Sequence, residues 1–247
     1  MSLHFGTWHT DKSIQGFSHL RAAQQPPQGE IHCHRDHGTT AEDEIAKLVR
    51  RVFVAPVAEI PPKIVAFCGV DEGAGCSWVC ARAGEVLADQ VPGNVCLVDA
   101  NLRSPSLHGR FHVEKGRGFA DAIKGTGRIH DLVRRIGEGN LRLITAGSNG
   151  KEPNGALNPA RLRARFSELR SEFDFTLVDT PPTSSYADAV LLGQLTDGVV
   201  LVVGSNLTRR EPARAAKRAF EAARITLFGA VLNKRTYPIP EALYWKL

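Results

Sequence analysis

Two hydrophobic patterns alternate along this chain from about residue 39 onward. Six short apolar runs lack polar alternation and are typical of buried strands: residues 63–69, 94–99, 141–147, 173–179, 199–203 and 227–232. Amphipathic stretches separate them, as in residues 77–90, where Val79, Ala83, Val86 and Leu87 recur at helical spacing. Strands that are apolar on both faces and separated by helices form parallel sheets covered on both sides. The pattern therefore predicts an α/β fold with a mostly parallel central sheet and helices on both faces.

Capping residues mark where several of the predicted helices begin. A first helix is expected to start at Thr39 or Thr40, where nearby acidic residues are placed to close a capping box. Asn158 and Pro159 put a cap and a first-turn proline in the favoured order. Residues 208–211 read Thr-Arg-Arg-Glu, which predicts a further capping box at the start of the next helix.

The first 38 residues differ from the rest because they lack apolar periodicity. Residues 1–38 are predicted to be a flexible tail, and residues 39–247 a single domain. The tail contains the stretch HCHRDH at residues 32–37, which includes common metal ligands. Since a tail without a fold does not hold ligands in place, adventitious metal affinity is favoured over a structural metal site.

The cysteine content favours a reducing compartment for this chain, and the hydropathy gives no sign of a membrane span. Its five cysteines are an odd number, which argues against a disulfide framework, and Cys68 and Cys96 fall in strand-like runs typical of core cysteines. No apolar run approaches the roughly 18 residues of a membrane span. No export signal is visible at the N-terminus. The cytoplasm is therefore the expected location.

The net charge of +5 permits weak attraction to nucleic acid or anionic lipid. The arginines are spread over several predicted helices, however, and no dense basic tract stands out. A solvated basic surface is the favoured interpretation, and no specific nucleic-acid partner is expected.

The stretch CGVDEGAGCSW at residues 68–78 joins the first predicted strand of the domain to the following helix. A glycine-rich turn between a strand and a helix start forms an anion site, because backbone N–H groups and the helix dipole both point at it. Gly73 and Gly75 supply the unusual backbone dihedrals, and Ser77 falls where a hydroxyl would bind a magnesium ion. Cys76 breaks the pattern, because such loops carry a lysine at this place.

Acidic residues follow two further predicted strands. Asp99 ends the second strand, with Arg103 shortly after it, and Asp179 ends the fourth. In a parallel sheet, ligands bind beyond the carboxyl ends of the strands, so that these groups are expected beside the glycine-rich loop. Carboxylates at such a place can hold a magnesium ion or its waters. The alternative is that acidic residues end these strands merely because turns are polar. Three such strand ends in one chain disfavour this alternative.

Four segments of the chain resemble the bacterial tyrosine autokinases of capsule and exopolysaccharide assembly, of the CpsD and CapB type. These segments are LVDANLRSP, FDFTLVDTPP, YADAVLLGQLTDGVVLVV and GAVLN. The resemblance runs from about Glu44 to Asn233. It implies a MinD/ParA-like P-loop NTPase fold with ATP or ADP and Mg²⁺ as cofactors.

The resemblance also implies a set of site residues. Those implied to bind the nucleotide are Gly73, Ala74, Gly75, Cys76, Ser77 and Trp78 in the loop, with Asn233 reading adenine. Those implied to be catalytic are Asp99, Asn101, Arg103 and Asp179. Those implied to bind the metal are Ser77, Asp99 and Asp179.

Three departures from the family pattern bear on activity. The loop lysine is replaced by Cys76, the second acid of an Asp-x-Asp pair by Asn101, and the tyrosine-rich tail is reduced to Tyr237 and Tyr244. A lysine makes charge-assisted hydrogen bonds to phosphate worth roughly 1.5–3 kcal/mol each. Its loss is expected to slow phosphoryl transfer on the order of a hundredfold or more, while weak nucleotide binding survives. A redox pair of Cys76 with Cys80 is a further hypothesis, and a core position for Cys80 the favoured alternative.

The leading hypothesis is a kinase-like, nucleotide-binding regulator of exopolysaccharide or capsule assembly with weak or no catalysis. The resemblance implies docking on the cytoplasmic end of a membrane-anchored chain-length regulator supplied by another chain, hence a peripheral place at the inner membrane. It also implies self-association through Glu44, Lys47 and Arg50. One alternative is an active tyrosine autokinase that phosphorylates one of its C-terminal tyrosines. Another is a MinD/ParA-like positioning ATPase, whose C-terminal residues 240–247 could lie on a membrane surface.

Overall fold

A computed structural model describes most of the predicted domain. The described residues are 2–6, 41–54, 60–125, 127–147, 158–184 and 187–235. The strands are β1 (Ser2–Gly6), β2 (Ile64–Gly69), β3 (Val95–Asp99), β4 (Arg134–Arg135), β5 (Leu141–Ile144), β6 (Phe175–Thr180), β7 (Gly198–Gly204) and β8 (Leu227–Arg235). The helices are α1 (Ala41–Val49), α2 (Cys76–Gln90), α3 (Leu107–Arg110), α4 (Phe119–Lys124), α5 (Pro159–Glu172), α6 (Asp188–Gly193) and α7 (Arg210–Ala222). A π-helical turn (Arg50–Val54) extends α1, and a 3₁₀ turn (Ile129–Leu132) precedes β4.

The eight strands form one sheet in the order β1-β8-β7-β2-β6-β3-β5-β4. All neighbours from β8 to β5 pair in parallel, while β1 and β4 add antiparallel edges. Strand β2 lies at the centre between β7 and β6, with β3 beyond β6. The carboxyl ends of β2, β6 and β3 therefore meet at one edge of the sheet, where ligands bind in folds of this kind.

Helices bury both faces of the sheet, as the apolar runs predict. In β2, Val65 and Phe67 pack with α1 and α2 on one face. Ile64, Ala66 and Cys68 point to the other face, where α4 and α5 cover one half and α6 and α7 the other. Since successive side chains of a strand alternate between faces, a strand buried on both sides must be apolar throughout. The predicted mostly parallel α/β fold is confirmed.

All six predicted strands are present, and the structure adds two edge strands, β1 and β4, that the sequence did not predict. Strand β4 is two exposed arginines long and carries no apolar signal. Strand β1 lies within the segment 1–38, so that the predicted flexible tail is wrong for residues 2–6. Pairing with β8 supplies the hydrogen bonds that local sequence does not reveal. Residues 7–38, with the HCHRDH stretch, lie outside the described residues.

One predicted helix start is confirmed and another is wrong. The Asn158 side chain accepts hydrogen bonds from the backbone N–H groups of Ala160 and Arg161, at 3.0 and 3.2 Å, and so caps α5. Helix α7 instead begins at Arg210 without a side-chain cap. The Thr208 hydroxyl accepts from the Gly204 N–H at 3.1 Å, which closes the turn after β7 rather than a capping box.

No helix within the described residues is both long enough and apolar enough to cross a membrane. Three features that the sequence singles out lie outside the described residues: the start of the first helix at residues 39–40, the tyrosines at 237 and 244, and the C-terminal stretch 240–247.

Candidate functional site

The glycine-rich loop between β2 and α2 has the backbone geometry of an anion cradle. Gly73 and Gly75 take left-handed conformations, with φ of 78° and 85°. A Cβ on Gly75 would lie 2.3 Å from the Asn233 amide nitrogen, so that only glycine fits there. No side chain caps the start of α2, whose first N–H groups have no partner within the helix. These donors and the helix dipole point to the same side of the loop.

Two residues at the end of β8 hold this loop from behind. The fully buried Asn233 donates its side-chain N–H to the Ala74 carbonyl at 2.9 Å and accepts the Lys234 N–H at 2.8 Å. The Lys234 ammonium donates to the Gly73 carbonyl at 2.7 Å. Both ends of the Asn233 amide take part in these contacts, and the side chain does not line the cavity at the loop, so that the expected adenine contact stays a prediction.

A cavity of about 330 Å³ opens in front of the loop, within the size range of small-molecule sites. The predicted residues that line it are Gly73, Ala74, Gly75, Cys76, Ser77, Trp78, Asn101 and Arg103. The lining residues that sequence reasoning did not single out are Gly69, Asp71, Glu72, Ser104, Ser106, Thr180 and Pro182. Asp71 and Glu72 lie in the loop motif itself, and Thr180 and Pro182 lie within three residues after Asp179. Their closeness in sequence to predicted site residues could have identified them.

The two strand-end carboxylates lie side by side at the carboxyl ends of β3 and β6, and neither lines the cavity. Asp99 of β3 and Asp179 of β6 are register partners on adjacent parallel strands, and neither is exposed. One Asp99 oxygen accepts the N–H groups of Ser106 and Leu107, both at 3.1 Å, and its other oxygen has no hydrogen-bond partner. Neither oxygen of Asp179 has a well-formed hydrogen bond. Buried carboxylate oxygens without partners are costly unless a proton or a cation neutralises them.

Burial controls the electrostatics of this pair. It raises the pKa of the Asp179 carboxyl well above its ordinary range, and the neighbouring Asp99 charge raises it further, against a smaller opposing effect of Ser77 and Cys76. Burial also raises the pKa of Asp99, although the N–H groups of Leu107 and Ser106 lower it in part. Without a cation, the pair therefore retains a proton under conditions in which exposed aspartates are ionised.

Cys76 is the first residue of α2 and carries a neutral thiol. Burial raises its pKa well above the ordinary value, and the Asp179 charge adds to this effect. Cys76 is partly buried and lines the cavity, so that a neutral thiol, which is a weak donor, is favoured over a thiolate at this position. Cys80 is a buried free thiol of the core, which supports its structural interpretation over a redox pair. No disulfide joins the cysteines that the structure describes.

The remaining predicted catalytic side chains are held by local contacts at the cavity wall. The Arg103 guanidinium pairs with Asp188 of α6, at 3.2 Å from nitrogen to oxygen. Asn101 accepts the Ser104 N–H at 3.2 Å and so closes the turn after β3. The positive charge of Arg103 is thus shared with a carboxylate.

Trp78 stands in the first turn of α2, at the edge of the cavity. Its indole packs against the core, and the Arg110 guanidinium lies 5.7 Å from the ring centroid, within the range of a cation–π contact. The cavity persists beside the ring, so that Trp78 forms a wall of the site without closing it.

The three residues expected to mediate self-association lie on α1 and its extension, outside the cavity. Glu44 is buried and forms an ion pair with Lys47 at 2.8 Å, while Lys47 and Arg50 reach the surface. Both partners of this ion pair lie on one helix, three residues apart.

Curated relatives of this chain are bacterial tyrosine-protein kinases, although no family model matches it. It is 32% identical to tyrosine-protein kinase YwqD of Bacillus subtilis over 161 residues, which cover 65% of this chain and 68% of that protein. It is 27% identical to tyrosine-protein kinase CpsD of Streptococcus agalactiae over 173 residues, covering 70% and 75%. Its match to tyrosine-protein kinase etk of Escherichia coli is 24% identical and covers 80% of this chain but 27% of that longer protein.

Solved structures share the fold. The kinase domain of Escherichia coli tyrosine kinase ETK superposes with a TM-score of 0.70 at 21% identity, covering 93% of this chain and 91% of that one. The septum site-determining protein MinD from Pyrococcus horikoshii, solved with Mg-ADP, gives a TM-score of 0.60 at 18% identity, covering 74% and 76%. The fold is therefore that of MinD/ParA-like P-loop NTPases. With this fold and the identity to YwqD over two thirds of its length, the chain belongs to the family of bacterial tyrosine-protein kinases that includes YwqD and CpsD.

Proposed function

We propose that this chain is a kinase-like regulator of capsule or exopolysaccharide assembly that binds ATP or ADP with Mg²⁺ and turns it over slowly or not at all. The observation that carries the proposal is a preformed, braced loop next to two buried carboxylates, at a place where the loop offers a neutral thiol. Its membership in the tyrosine-kinase family and the Mg-ADP bound by MinD support a nucleotide as the ligand.

Nucleotide binding follows from the loop alone. Backbone N–H groups at a helix start bind phosphate without any side chain, and the contacts of Asn233 and Lys234 fix the loop before a ligand arrives. A preformed loop avoids the entropic cost of ordering on binding. The loss of the loop lysine therefore weakens binding without abolishing it.

Ser77, Asp99 and Asp179 are the residues that would hold Mg²⁺. Their hydroxyl and carboxylate oxygens are the hard donors that this ion prefers, and three of the four carboxylate oxygens have no other partner. A magnesium ion held there would supply positive charge beside the phosphate groups. Its own charge would also remove the pKa elevation that burial imposes on the two aspartates.

Slow turnover follows from the cation that is missing inside the loop. Cys76 is neutral and Arg103 shares its charge with Asp188. Phosphoryl transfer depends almost entirely on positioning and on electrostatic stabilisation of the transferring group. A missing contact of about 3 kcal/mol corresponds to about a hundredfold in rate. Signalling through nucleotide state and self-association, rather than through turnover, is the consistent role.

The proposed partner is the cytoplasmic end of a membrane-anchored chain-length regulator supplied by another chain. The match to etk spans about a quarter of that protein, whose kinase domain was solved as a separate unit. Docking on that partner would place this chain peripherally at the inner membrane, with self-association through Glu44, Lys47 and Arg50.

Calorimetry of Mg-ADP binding to the wild-type chain and to Cys76→Lys tests the nucleotide site. The introduced lysine restores a charge-assisted contact and is expected to tighten binding by about tenfold or more. Cys80→Ser, a buried cysteine one turn further along α2, serves as the control for changes at this helix. Unchanged affinity of Cys76→Lys would mean that the loop does not hold phosphate.

An active tyrosine kinase is the second candidate, favoured by the kinase relatives. Incubation with Mg-ATP followed by phosphotyrosine detection separates the two: this proposal expects little or no signal from the wild type and a stronger one from Cys76→Lys. Strong phosphorylation of the wild type would make the chain an enzyme. ATP-dependent sedimentation with lipid vesicles or DNA would instead support a positioning ATPase of the MinD type.

A further inference from the structure

We propose that Lys234, at the end of β8, supplies the positive charge of the nucleotide site in place of a loop lysine. This inference rests on the proposed nucleotide binding. It assigns the role to a residue 161 positions away from the loop that it serves, and the ligand is the phosphate chain of a nucleoside di- or triphosphate.

The contact geometry places this ammonium group at the loop. The Lys234 Nζ donates to the Gly73 carbonyl at 2.7 Å, and Gly73 itself lines the cavity. The side chain passes behind Gly75, where its Cε lies 3.7 Å from the position that a Cβ would take. Lys234 itself does not line the cavity. Its ammonium stands against the Gly73 carbonyl and acts on a bound phosphate chain through its charge, across the loop. A direct contact with a phosphate oxygen would require this exposed side chain to leave that carbonyl.

The backbone is held in an unusual conformation to make this contact. Lys234 has a φ of 60°, a left-handed conformation that is uncommon for residues other than glycine. The Asn233 side chain stabilises it by accepting the Lys234 N–H at 2.8 Å, while its amide group grips Ala74. Such conformations persist where surrounding contacts enforce them, and they concentrate at ligand sites. The conformation redirects the side chain from the strand onto the loop.

The charges around the cavity explain why this lysine matters. Asp71 and Glu72 line the cavity with negative charge, and the loop carries Cys76 at the position where a lysine would stand. The Arg103 guanidinium is paired with Asp188. The ammonium of Lys234 offsets the two loop acids and attracts phosphate, as a loop lysine does from inside the loop.

Calorimetry of Mg-ADP binding to the full chain tests this role with four proteins. Lys234→Gln, which keeps a hydrogen-bond donor without charge, is expected to weaken binding by about three- to tenfold at low salt, with a smaller effect at high salt. Lys234→Arg keeps the charge and is expected to bind within about twofold of the wild type. Lys124→Gln, an exposed lysine on α4, is the matched control and is expected to change nothing.

A double variant separates charge from bracing. In the Cys76→Lys background, where the loop has its own cation, Lys234→Gln is expected to cost less than it does alone. Equal binding of Lys234→Gln and wild type, or an equal loss in Lys234→Arg, would overturn the role of Lys234 while leaving nucleotide binding in place. Binding by Cys76→Lys but not by the wild type would also overturn it. Failure of both proteins to bind would overturn the proposed function itself.

Discussion

At the scale of single residues, the unusual feature is a pair of carboxylates buried side by side. Asp99 and Asp179 are both fully buried and lie opposite each other on neighbouring strands. Burial raises the pKa of each, and for Asp179 the charge of Asp99 adds to it. Such a pair destabilises the native protein unless a proton or a metal ion neutralises it, which makes it a candidate binding site.

The pair should give the protein a characteristic pH dependence. A carboxyl whose native pKa is raised keeps its proton while the unfolded chain releases one, so that its stabilising contribution is lost as pH rises from the ordinary aspartate range towards the raised pKa. Asp179→Asn does not ionise and lacks this loss. In urea denaturation without Mg²⁺, the variant is expected to gain about 1–3 kcal/mol in free energy of unfolding relative to wild type between acidic and alkaline pH.

Asp197→Asn is the matched control for this measurement. Although burial opposes it, hydrogen bonds from Arg170 and from the Ile64 and Lys63 N–H groups lower the pKa of Asp197. Its stabilising contribution is therefore lost as pH falls, and the control variant should differ most from wild type at neutral pH, as a destabilisation. Parallel pH profiles for wild type and Asp179→Asn would contradict the raised pKa.

At the scale of elements, the site depends on contacts between β8 and the loop that joins β2 to α2. Asn233 and Lys234 donate to two successive loop carbonyls, of Ala74 and Gly73. The loop approaches β8 so closely that Gly75 has no space for a side chain. The cradle thus depends on two elements that are distant in sequence. In the sheet, only β7 lies between β8 and β2.

Gly75→Ala tests this close approach. A Cβ would lie 2.3 Å from the Asn233 amide nitrogen, at a φ of 85° that alanine adopts with strain. Urea denaturation is expected to show a loss of about 1–3 kcal/mol in free energy of unfolding, together with weaker Mg-ADP binding. Gly109→Ala on α3, where a Cβ meets nothing within 4 Å, is expected to be neutral or slightly stabilising. A stable, fully binding Gly75→Ala protein would show that the loop does not need β8.

At the scale of the whole molecule, the sheet order sets which groups meet. Placing β6 between β2 and β3 brings Asp179 next to both the loop and Asp99. The cavity opens at this single edge, while the surface of α1 with Lys47 and Arg50 lies apart from it. The proposed nucleotide binding and the proposed self-association would thus use separate surfaces.

If α1 mediates self-association, reversing a single charge on its surface should lower the mass of the oligomer in solution. Arg50→Glu is expected to shift an oligomer toward the monomer in sedimentation velocity, because a like charge would replace the cation that a partner's carboxylate meets. Arg163→Glu, an exposed arginine on α5, makes the same change of charge elsewhere and is expected to leave the mass unchanged. A monomeric wild type, or an unchanged Arg50→Glu oligomer, would contradict this interface.

The sequence by itself determined the parallel α/β sheet, the glycine loop, the cap at Asn158 and the carboxylates at two strand ends. These features are local: an apolar run, a glycine dihedral or a cap is encoded within a few residues. Only the tertiary structure decided that Cys76 stays neutral and that Asn233 braces the loop instead of lining the cavity. It also decided the contact of Lys234 with Gly73. These depend on burial and on pairing between distant strands, for which no local pattern exists.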